Sequence, residues 1–299
     1  MKEEFIEKSF NSRSRYQIKI AETILSDYVA QGFRLSLRQL YYQFVARGHI
    51  PNTQKDYKNL GNLISNARQA GLIDWEVIED RNRETVSTPH WNSPAEIVMT
   101  AANVFRIDKW KNQPYHIEIM VEKDALSGVL IPVVNELDIS ITANKGYSST
   151  SIMYDIGKRL ARLSSTGKYI RILYLGDHDP SGIDMTRDIE DRLRLFSRLW
   201  DATRLQVTRL ALNWDQVERW NPPENPAKQT DTRYQNYVEE FGDSSWELDA
   251  IEPIELANLI RNEVLNLRAD DLWEKNVELE NSMREELRSF ADNYGVNND

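Results

Sequence analysis

Three acidic residues stand where two apolar runs of the sequence end. Glu122 follows the run at 116–121, and Asp177 and Asp179 follow the run at 169–175. If both runs are strands of a parallel sheet, the acids meet at the sheet edge where α/β proteins place their active groups. Carboxylates that leave room for water and phosphate oxygens suit Mg²⁺. The spacing therefore predicts a magnesium site and phosphate chemistry.

Composition limits the classes of protein to consider. The chain has 299 residues, of which 40% are hydrophobic and 28% charged, as in a globular protein with room for two domains. It has no cysteine and four histidines, which excludes thiolate zinc sites and disfavours an imidazole metal cluster. No run approaches the roughly 18 apolar residues of a membrane helix, and no apolar signal core follows the charged N-terminus. We expect a cytoplasmic protein without membrane contact.

Charge is unevenly distributed along the chain. Residues 1–72 carry eleven Lys and Arg against six acids, a balance of +5; because the whole chain is at -10, the remainder is at -15. This asymmetry favours a module that binds a polyanion, joined to an acidic part with another role.

The basic part reads as a winged helix-turn-helix domain, residues 1–88. Apolar periodicity and turn glycines predict helices at 15–31, 37–47 and 53–70, and residues 71–78 look like a strand or wing. One face of the third helix carries amides and a lysine able to contact phosphates and base edges. These candidate DNA-binding residues are Lys55, Asn59, Asn62 and Asn66. A solvated helix face is the alternative interpretation.

The acidic part reads as an α/β domain followed by helices. A linker at 89–113 contains a short helix at 94–105; strands are predicted at 116–121, 139–143, 169–175 and 205–211, with helices at 124–136, 149–163 and 182–198. Such alternation predicts right-handed crossovers and a mostly parallel sheet in a domain at 114–253. The domain ends in an irregular insertion at 213–253. The segment at 254–299 is predicted to be helical, and to pack on the chain or pair with another subunit.

The motifs around the acids resemble a known family. Val121-Glu122-Lys123-Asp124-Ala125, the Lys145-Gly146 turn and Gly176-Asp177-His178-Asp179-Pro180-Ser181-Gly182 are similar to the TOPRIM domain of topoisomerases, primases and related nucleases. The pattern looks most like the topoisomerase VI A subunit and its relative, the meiotic double-strand-break transesterase. Over roughly 114–212, the resemblance implies a TOPRIM fold, Rossmann-like with a mostly parallel sheet. It also implies Mg²⁺ held by Glu122, Asp177 and Asp179.

The same family carries a catalytic tyrosine in a winged-helix domain ahead of the TOPRIM fold. Its Arg-acid-x-aromatic-Tyr pattern is matched by residues 38–42, with Gln39 in place of the acid. The resemblance implies Tyr42 as the nucleophile and Arg38 as its basic helper. Core packing of Tyr42 is the alternative interpretation. In that family, the tyrosine and the metal come from different subunits, which implies a homodimer with composite sites.

We therefore expect Mg²⁺-dependent cleavage of double-stranded DNA, with Tyr42 forming a 5′-phosphotyrosyl link and Glu122 also moving a proton. A hydrolytic TOPRIM nuclease of the defence or mobile-element type is the first alternative, and a non-catalytic DNA-binding dimerisation module is the second. The chain has no Gly-x-x-x-x-Gly-Lys-Ser/Thr loop, so strand passage would need a separate ATPase subunit. Three lysines are further candidates for DNA contacts: Lys123, Lys145 and Lys228. Either Glu247 or Asp249 is expected to support the metal.

Overall fold

The computed structural model describes residues 2–78, 88–144 and 149–294. These residues form a mixed α/β structure with N-terminal helices, a four-stranded parallel sheet flanked by helices, and C-terminal helices. The first helices are α1 (Ser12–Ala30), α2 (Leu37–Ala46), α3 (Gln54–Gln69) and α4 (Pro94–Val104). The sheet region comprises β1 (Tyr115–Val121), α5 (Asp124–Leu137), β2 (Ser140–Ala143), α6 (Thr150–Ser165), β3 (Tyr169–Leu175), α7 (Pro180–Ser197) and β4 (Leu205–Ala211). The remaining elements are α8 (Trp214–Trp220), β5 (Glu224–Pro226), α9 (Tyr234–Phe241), β6 (Ser244–Trp246), α10 (Pro253–Leu267) and α11 (Asp270–Tyr294).

The predicted parallel sheet is confirmed, with strand order β2-β1-β3-β4 and all neighbours parallel. The four predicted strands and the helices between them form within two residues of their expected bounds. Val121 at the end of β1 lies opposite Leu175 at the end of β3. The residues that follow these two strands therefore begin side by side at one edge of the sheet.

The three predicted N-terminal helices also form, and their first residues explain where they begin. Ser36 accepts a hydrogen bond from the Gln39 backbone, while the Gln39 side chain accepts one from the Ser36 backbone. Asn11 and Thr53 cap α1 and α3 in a similar way. Each cap satisfies an N–H group that the helix itself leaves without a partner.

The strand or wing predicted at 71–78 is wrong. Trp75–Val77 is a 3₁₀ turn, and Ile78 forms only an isolated bridge to Leu35. The Asp74 side chain accepts a hydrogen bond from the Glu76 backbone at 2.9 Å, which starts a turn rather than a strand. Arg68 stacks over the Trp75 ring at 4.5 Å. The apolar residues of this stretch therefore pack in a turn, and no wing is present in the part of the chain that the structure describes.

A single buried apolar cluster runs from the N-terminal helices to one face of the sheet, so α1–α3 pack on the rest of the chain through a common core. A second cluster fills the opposite face, between β3, α6 and α7. The predicted C-terminal helical segment is present as α10, which packs on α5, and α11, which packs along α4. Among the described residues, no helix has the length and apolar character needed to span a membrane.

Candidate active site

A cleft of about 670 Å³ lies between the N-terminal helices and the acidic edge of the sheet. One wall comes from α2, α3 and the loop between them, and the other from the residues after β3 and the segment around β5 and β6. The lining residues are Arg38, Tyr41, Tyr42, Asn52, Thr53, Gln54, Tyr57, Lys58, Asp177, Asp179, Asn225, Pro226, Lys228, Ser245, Trp246 and Glu247. The cleft therefore joins the basic helical part of the chain to its acidic part.

Glu122 and Asp177 meet because β1 and β3 end in register. The Glu122 backbone N–H donates to the Leu175 carbonyl at 2.9 Å, which extends the strand pairing by one residue. The Asp177 backbone N–H then donates to Glu122 Oε2, also at 2.9 Å. Both side chains are buried, with Glu122 at 9% and Asp177 at 6% exposure. The parallel register thus brings together two acids that are 55 residues apart.

Asp179 stands at the start of α7 and caps it. Its Oδ1 accepts hydrogen bonds from the Gly182 backbone at 2.5 Å and from the Ser181 hydroxyl at 3.1 Å. A Cβ at Gly182 would lie 2.2 Å from the Asp177 carbonyl oxygen, so only glycine fits there. The Pro-x-Gly sequence behind the acid pair therefore sets a tight turn that holds Asp179 beside Asp177.

Lys123 lies at the centre of a cluster of carboxylates. Its Nζ is 2.7 Å from Asp177 Oδ2, 3.0 Å from Glu247 Oε2 and 3.2 Å from Asp249 Oδ2. Glu247 and Asp249 follow β6, and a backbone ladder between His178 and Trp246 pins that strand to the loop bearing the acid pair. The insertion therefore delivers two more acids to the site.

Arg38 and Tyr42 enter the cluster from α2. Arg38 forms a bidentate pair with Glu247, including Nη2 to Oε1 at 2.6 Å and Nε to Oε2 at 3.0 Å. Its guanidinium also lies 5.9 Å from the centre of the Tyr42 ring. Tyr42 is 3% exposed, and Asn225 and Glu247 line the same cleft. The tyrosine therefore packs in the core and also lines the cleft, so its two interpretations do not exclude each other.

Burial and excess negative charge raise several pKa values in the cluster. Burial, reinforced by the Glu122 carboxylate, raises the pKa of Asp177 to about 7 despite the Lys123 ammonium. Burial also raises the pKa of Glu122, and the Asp179 charge adds to the shift. Burial raises the pKa of Tyr42 to about 12, with Glu247 contributing in the same direction. These groups share one region of negative potential that three cations, Lys123, Arg38 and Arg209, only partly neutralise.

The donor chemistry fits a divalent cation. Buried carboxylates outnumber the cations that contact them. Among the described residues, the buried Asp249 carboxylate has ion-pair contacts with Lys123 at 3.2 Å and Arg38 at 3.7 Å but no further hydrogen-bond partner. Oxygen donors of this kind are what Mg²⁺ prefers. In residues 2–78, 88–144 and 149–294, however, no three His, Asp or Glu side chains are grouped closely enough to hold a metal ion. Asp177, Glu247 and Asp249 are instead arranged around the Lys123 ammonium, whereas Glu122 and Asp179 accept from backbone N–H groups, so the predicted ligands are present but not gathered at one point.

The candidate DNA-binding residues divide between two surfaces. Lys228 lines the cleft. Lys123 lies in the acid cluster, where it contacts Asp177. Lys55, Asn59 and Asn62 are exposed on α3 outside the cleft, whereas Asn66 accepts a hydrogen bond from Lys8 Nζ at 2.6 Å. The side of α3 that faces the cleft carries Gln54, Tyr57 and Lys58 instead. Lys145 lies outside the described residues.

Two supporting residues escaped the sequence interpretation. Arg209 is partly buried and donates to the carbonyl oxygens of Gly176 at 3.0 Å and Asp177 at 2.5 Å, which fixes the backbone of the acid loop. His178 is packed against aromatic rings, and burial with the nearby Arg209 charge lowers its pKa to about 4. An arginine within the predicted strand at 205–211 was the available sequence signal for Arg209. No sequence signal indicated the role of His178, because the aromatic residues packed against it are distant in sequence.

The chain matches no protein-family model, and no curated protein is significantly similar to it.

Proposed function

We propose that the protein cleaves DNA strands in the presence of Mg²⁺, with Tyr42 as the attacking group. The observation that carries the proposal is the shared cleft: Arg38 and Tyr42 from α2 line the same cavity as Asp177 and Asp179. A candidate nucleophile and a set of carboxylates that line one cavity support attack on a phosphodiester bound between them. Lys58 and Lys228 line the cavity as well and supply positive charge for the flanking phosphates.

The proposed reaction is a transesterification. The Tyr42 hydroxyl oxygen attacks phosphorus and loses its proton, the bond from phosphorus to the 3′ oxygen breaks, and that oxygen leaves with a proton. The product is a 5′-phosphotyrosyl link that the freed 3′ hydroxyl is able to reverse. Mg²⁺ held by Glu122, Asp177 and Asp179 would neutralise charge on the phosphate oxygens and on the leaving oxygen.

This chain's own residues contribute in three ways. Arg38 is held by Glu247 close to the tyrosine ring, and its positive charge offsets part of the rise in the pKa of Tyr42 that burial and Glu247 cause. Burial raises the pKa of Glu122, which favours the protonated form that would give a proton to the leaving oxygen. Arg209 and Gly182 keep the acid loop in one conformation.

A hydrolytic nuclease is the second candidate, and one observation favours it. The Tyr42 hydroxyl is buried and its pKa is raised to about 12, which makes it a weaker nucleophile than an exposed tyrosine at neutral pH. If water attacks instead, the same acids serve and Tyr42 is only a packing residue. The product would then be a free 5′ phosphate.

Supercoiled DNA incubated with Mg²⁺, stopped with detergent and analysed with and without protease separates these candidates. We expect breaks whose ends stay linked to protein, and their loss in Tyr42→Phe. Tyr41→Phe is the matched control, because Tyr41 is equally buried but its hydroxyl donates to Asn52 Oδ1 at 2.9 Å. The control should retain the links.

Two outcomes contradict the tyrosine mechanism. Free ends that persist in Tyr42→Phe and disappear in Asp177→Ala would favour hydrolysis. Retained DNA binding with no cleavage under any condition would favour a non-catalytic module.

A further inference from the structure

The N-terminal helices are fastened to the acid cluster by a continuous line of charged contacts. Arg38 on α2 binds Glu247, Glu247 accepts from Lys123 Nζ at 3.0 Å, and Lys123 lies 2.7 Å from Asp177. Glu247 is thus the common partner of a cation from the helical part and a cation from the end of β1. All of these residues belong to one chain.

Other contacts repeat this attachment on either side of the cleft. Asn52, in the loop between α2 and α3, donates through Nδ2 to the Glu224 carbonyl at 3.0 Å and to Asn225 Oδ1 at 2.9 Å. The Tyr28 hydroxyl on α1 donates to the Glu252 carboxylate ahead of α10. Three separate points of the helical part therefore hold the insertion and the start of α10.

Apolar packing reinforces the polar contacts. Helix α2 packs against the 3₁₀ turn Leu248–Ala250, and the buried side chains of both belong to one core cluster. Leu40, Phe44 and Leu248 are each fully buried there. Separating these elements would expose these apolar side chains to water, which is unfavourable.

We infer that one chain assembles the whole site in cis, with Tyr42 attacking a phosphodiester bound at Asp177 and Asp179 of its own chain. This rests on the proposed function and specifies that no second subunit is needed to supply the tyrosine. It differs from the composite site that the family resemblance implies. The contacts on both sides of the cleft leave Tyr42 lining the cavity of its own chain.

The docking of the N-terminal helices on their own chain can be tested without measuring DNA cleavage. Because the chain has no cysteine, Asn52→Cys with Asn225→Cys introduces the only two thiols for a short bis-maleimide crosslinker. We expect a product of one-chain size, detected by intact mass and by joined peptides. The single variants Asn52→Cys and Asn225→Cys are the controls and should give no internal crosslink.

A crosslinked product of two-chain size would overturn the inference, because it would mean that the helices dock on a neighbouring copy by domain swapping. Failure to form the internal crosslink, with both thiols labelled by a maleimide dye, would overturn it as well.

A second experiment tests the same inference by measuring DNA cleavage. Tyr42→Phe and Asp177→Asn are co-expressed with different tags, and the mixed species is purified through both tags or, if none forms, the two proteins are combined. In cis, every chain lacks one essential group, so we expect no protein-linked breaks. In trans, each mixed dimer holds one intact site of two, and randomly paired chains would regain about one quarter of wild-type cleavage.

The two experiments separate the possible failures. Recovery of cleavage in the mixture overturns the cis site but supports the proposed function. A wild-type protein that forms no protein-linked breaks overturns the proposed function, while the crosslink still reports whether the helices dock on their own chain.

Discussion

Two buried glutamates, one within β1 and one just past its end, differ in their charged partners and in the direction of their pKa shift. Glu118 in β1 is 1% exposed and is paired with Arg159 on α6 and with His116. Although burial opposes the shift, these partners hold the pKa of Glu118 below its ordinary value. Glu122, one residue past the strand, accepts from a backbone N–H and faces other acids, and its pKa is raised. A neutralised carboxylate serves the fold, whereas carboxylates left in excess are available to a ligand.

The comparison also predicts opposite responses to pH. A carboxyl whose folded pKa is depressed stabilises the fold above its unfolded pKa, about 4.3 for glutamate, and loses that contribution as the pH falls. A carboxyl whose folded pKa is raised destabilises the fold as it ionises. Glu118 belongs to the first kind, and Glu122 and Asp177 belong to the second. The following predictions test this division.

Removal of one acid from the unneutralised group should have the largest effect. We expect Asp177→Asn to lower DNA cleavage by about 10³-fold, because transition-state charge loses a main stabilising group. Thermal stability at neutral pH should stay equal or rise, since the amide replaces a carboxylate whose ionisation is disfavoured by burial and by Glu122. Cleavage rates and melting curves measure the two effects. If Asp177→Asn unfolds instead, Asp177 stabilises the fold as Glu118 does, and the proposed difference between the two acids is wrong.

Removal of the partner from the neutralised glutamate should instead damage the fold. We expect Arg159→Met to lower the free energy of unfolding by about 3 kcal/mol, because Glu118 keeps only His116 as a partner. Urea denaturation measures the change. The control is Arg187→Met: this exposed arginine pairs with Asp184 and Asp191, and its loss should cost about 0.5 kcal/mol or less. Cleavage per folded molecule should be unchanged in Arg159→Met, and a selective loss of activity would contradict the division.

The pH dependence of stability should report on Asp177 directly. Its folded pKa of about 7 exceeds the unfolded value of about 3.9, so the folded state binds the proton more tightly. Stability should therefore fall as the pH rises from 5 to 7 in magnesium-free buffer. Relative to Asp177→Asn, the wild type should lose about 2 kcal/mol over this range. Parallel stability profiles for the two proteins would show that Asp177 does not titrate there.

Magnesium should produce the smallest effect. A ligand that binds only the folded state at ten times its Kd stabilises that state by about 1.4 kcal/mol. We expect Mg²⁺ to raise the melting temperature of the wild type and of Arg159→Met, but not that of Asp177→Asn. Potassium chloride at equal ionic strength is the control for screening. An equal shift in Asp177→Asn would remove the acids from the proposed metal site.

The sequence anticipated the elements of the fold better than their surfaces. Strands and helices from residue 114 to 211 were predicted nearly residue by residue, because short apolar runs and amphipathic periods are local signals. The strand or wing predicted at 71–78 is wrong because its apolar residues pack in a turn started by Asp74. The side of α3 that lines the cleft also escaped prediction, since amide-rich and lysine-bearing faces look alike until the opposing wall is known.

The position of Glu122 and Asp177 at strand ends is predictable from sequence, because each acid directly follows the apolar pattern of its strand. The residues that surround these acids are known only from the tertiary structure. Glu247 meets Lys123 across 124 residues and Arg38 across 209. Contacts at such separations leave no periodicity in the sequence, since they depend on how packed elements come together. The chain order thus predicts the acids, and the packing of α2 against the insertion decides that Tyr42 shares their cleft.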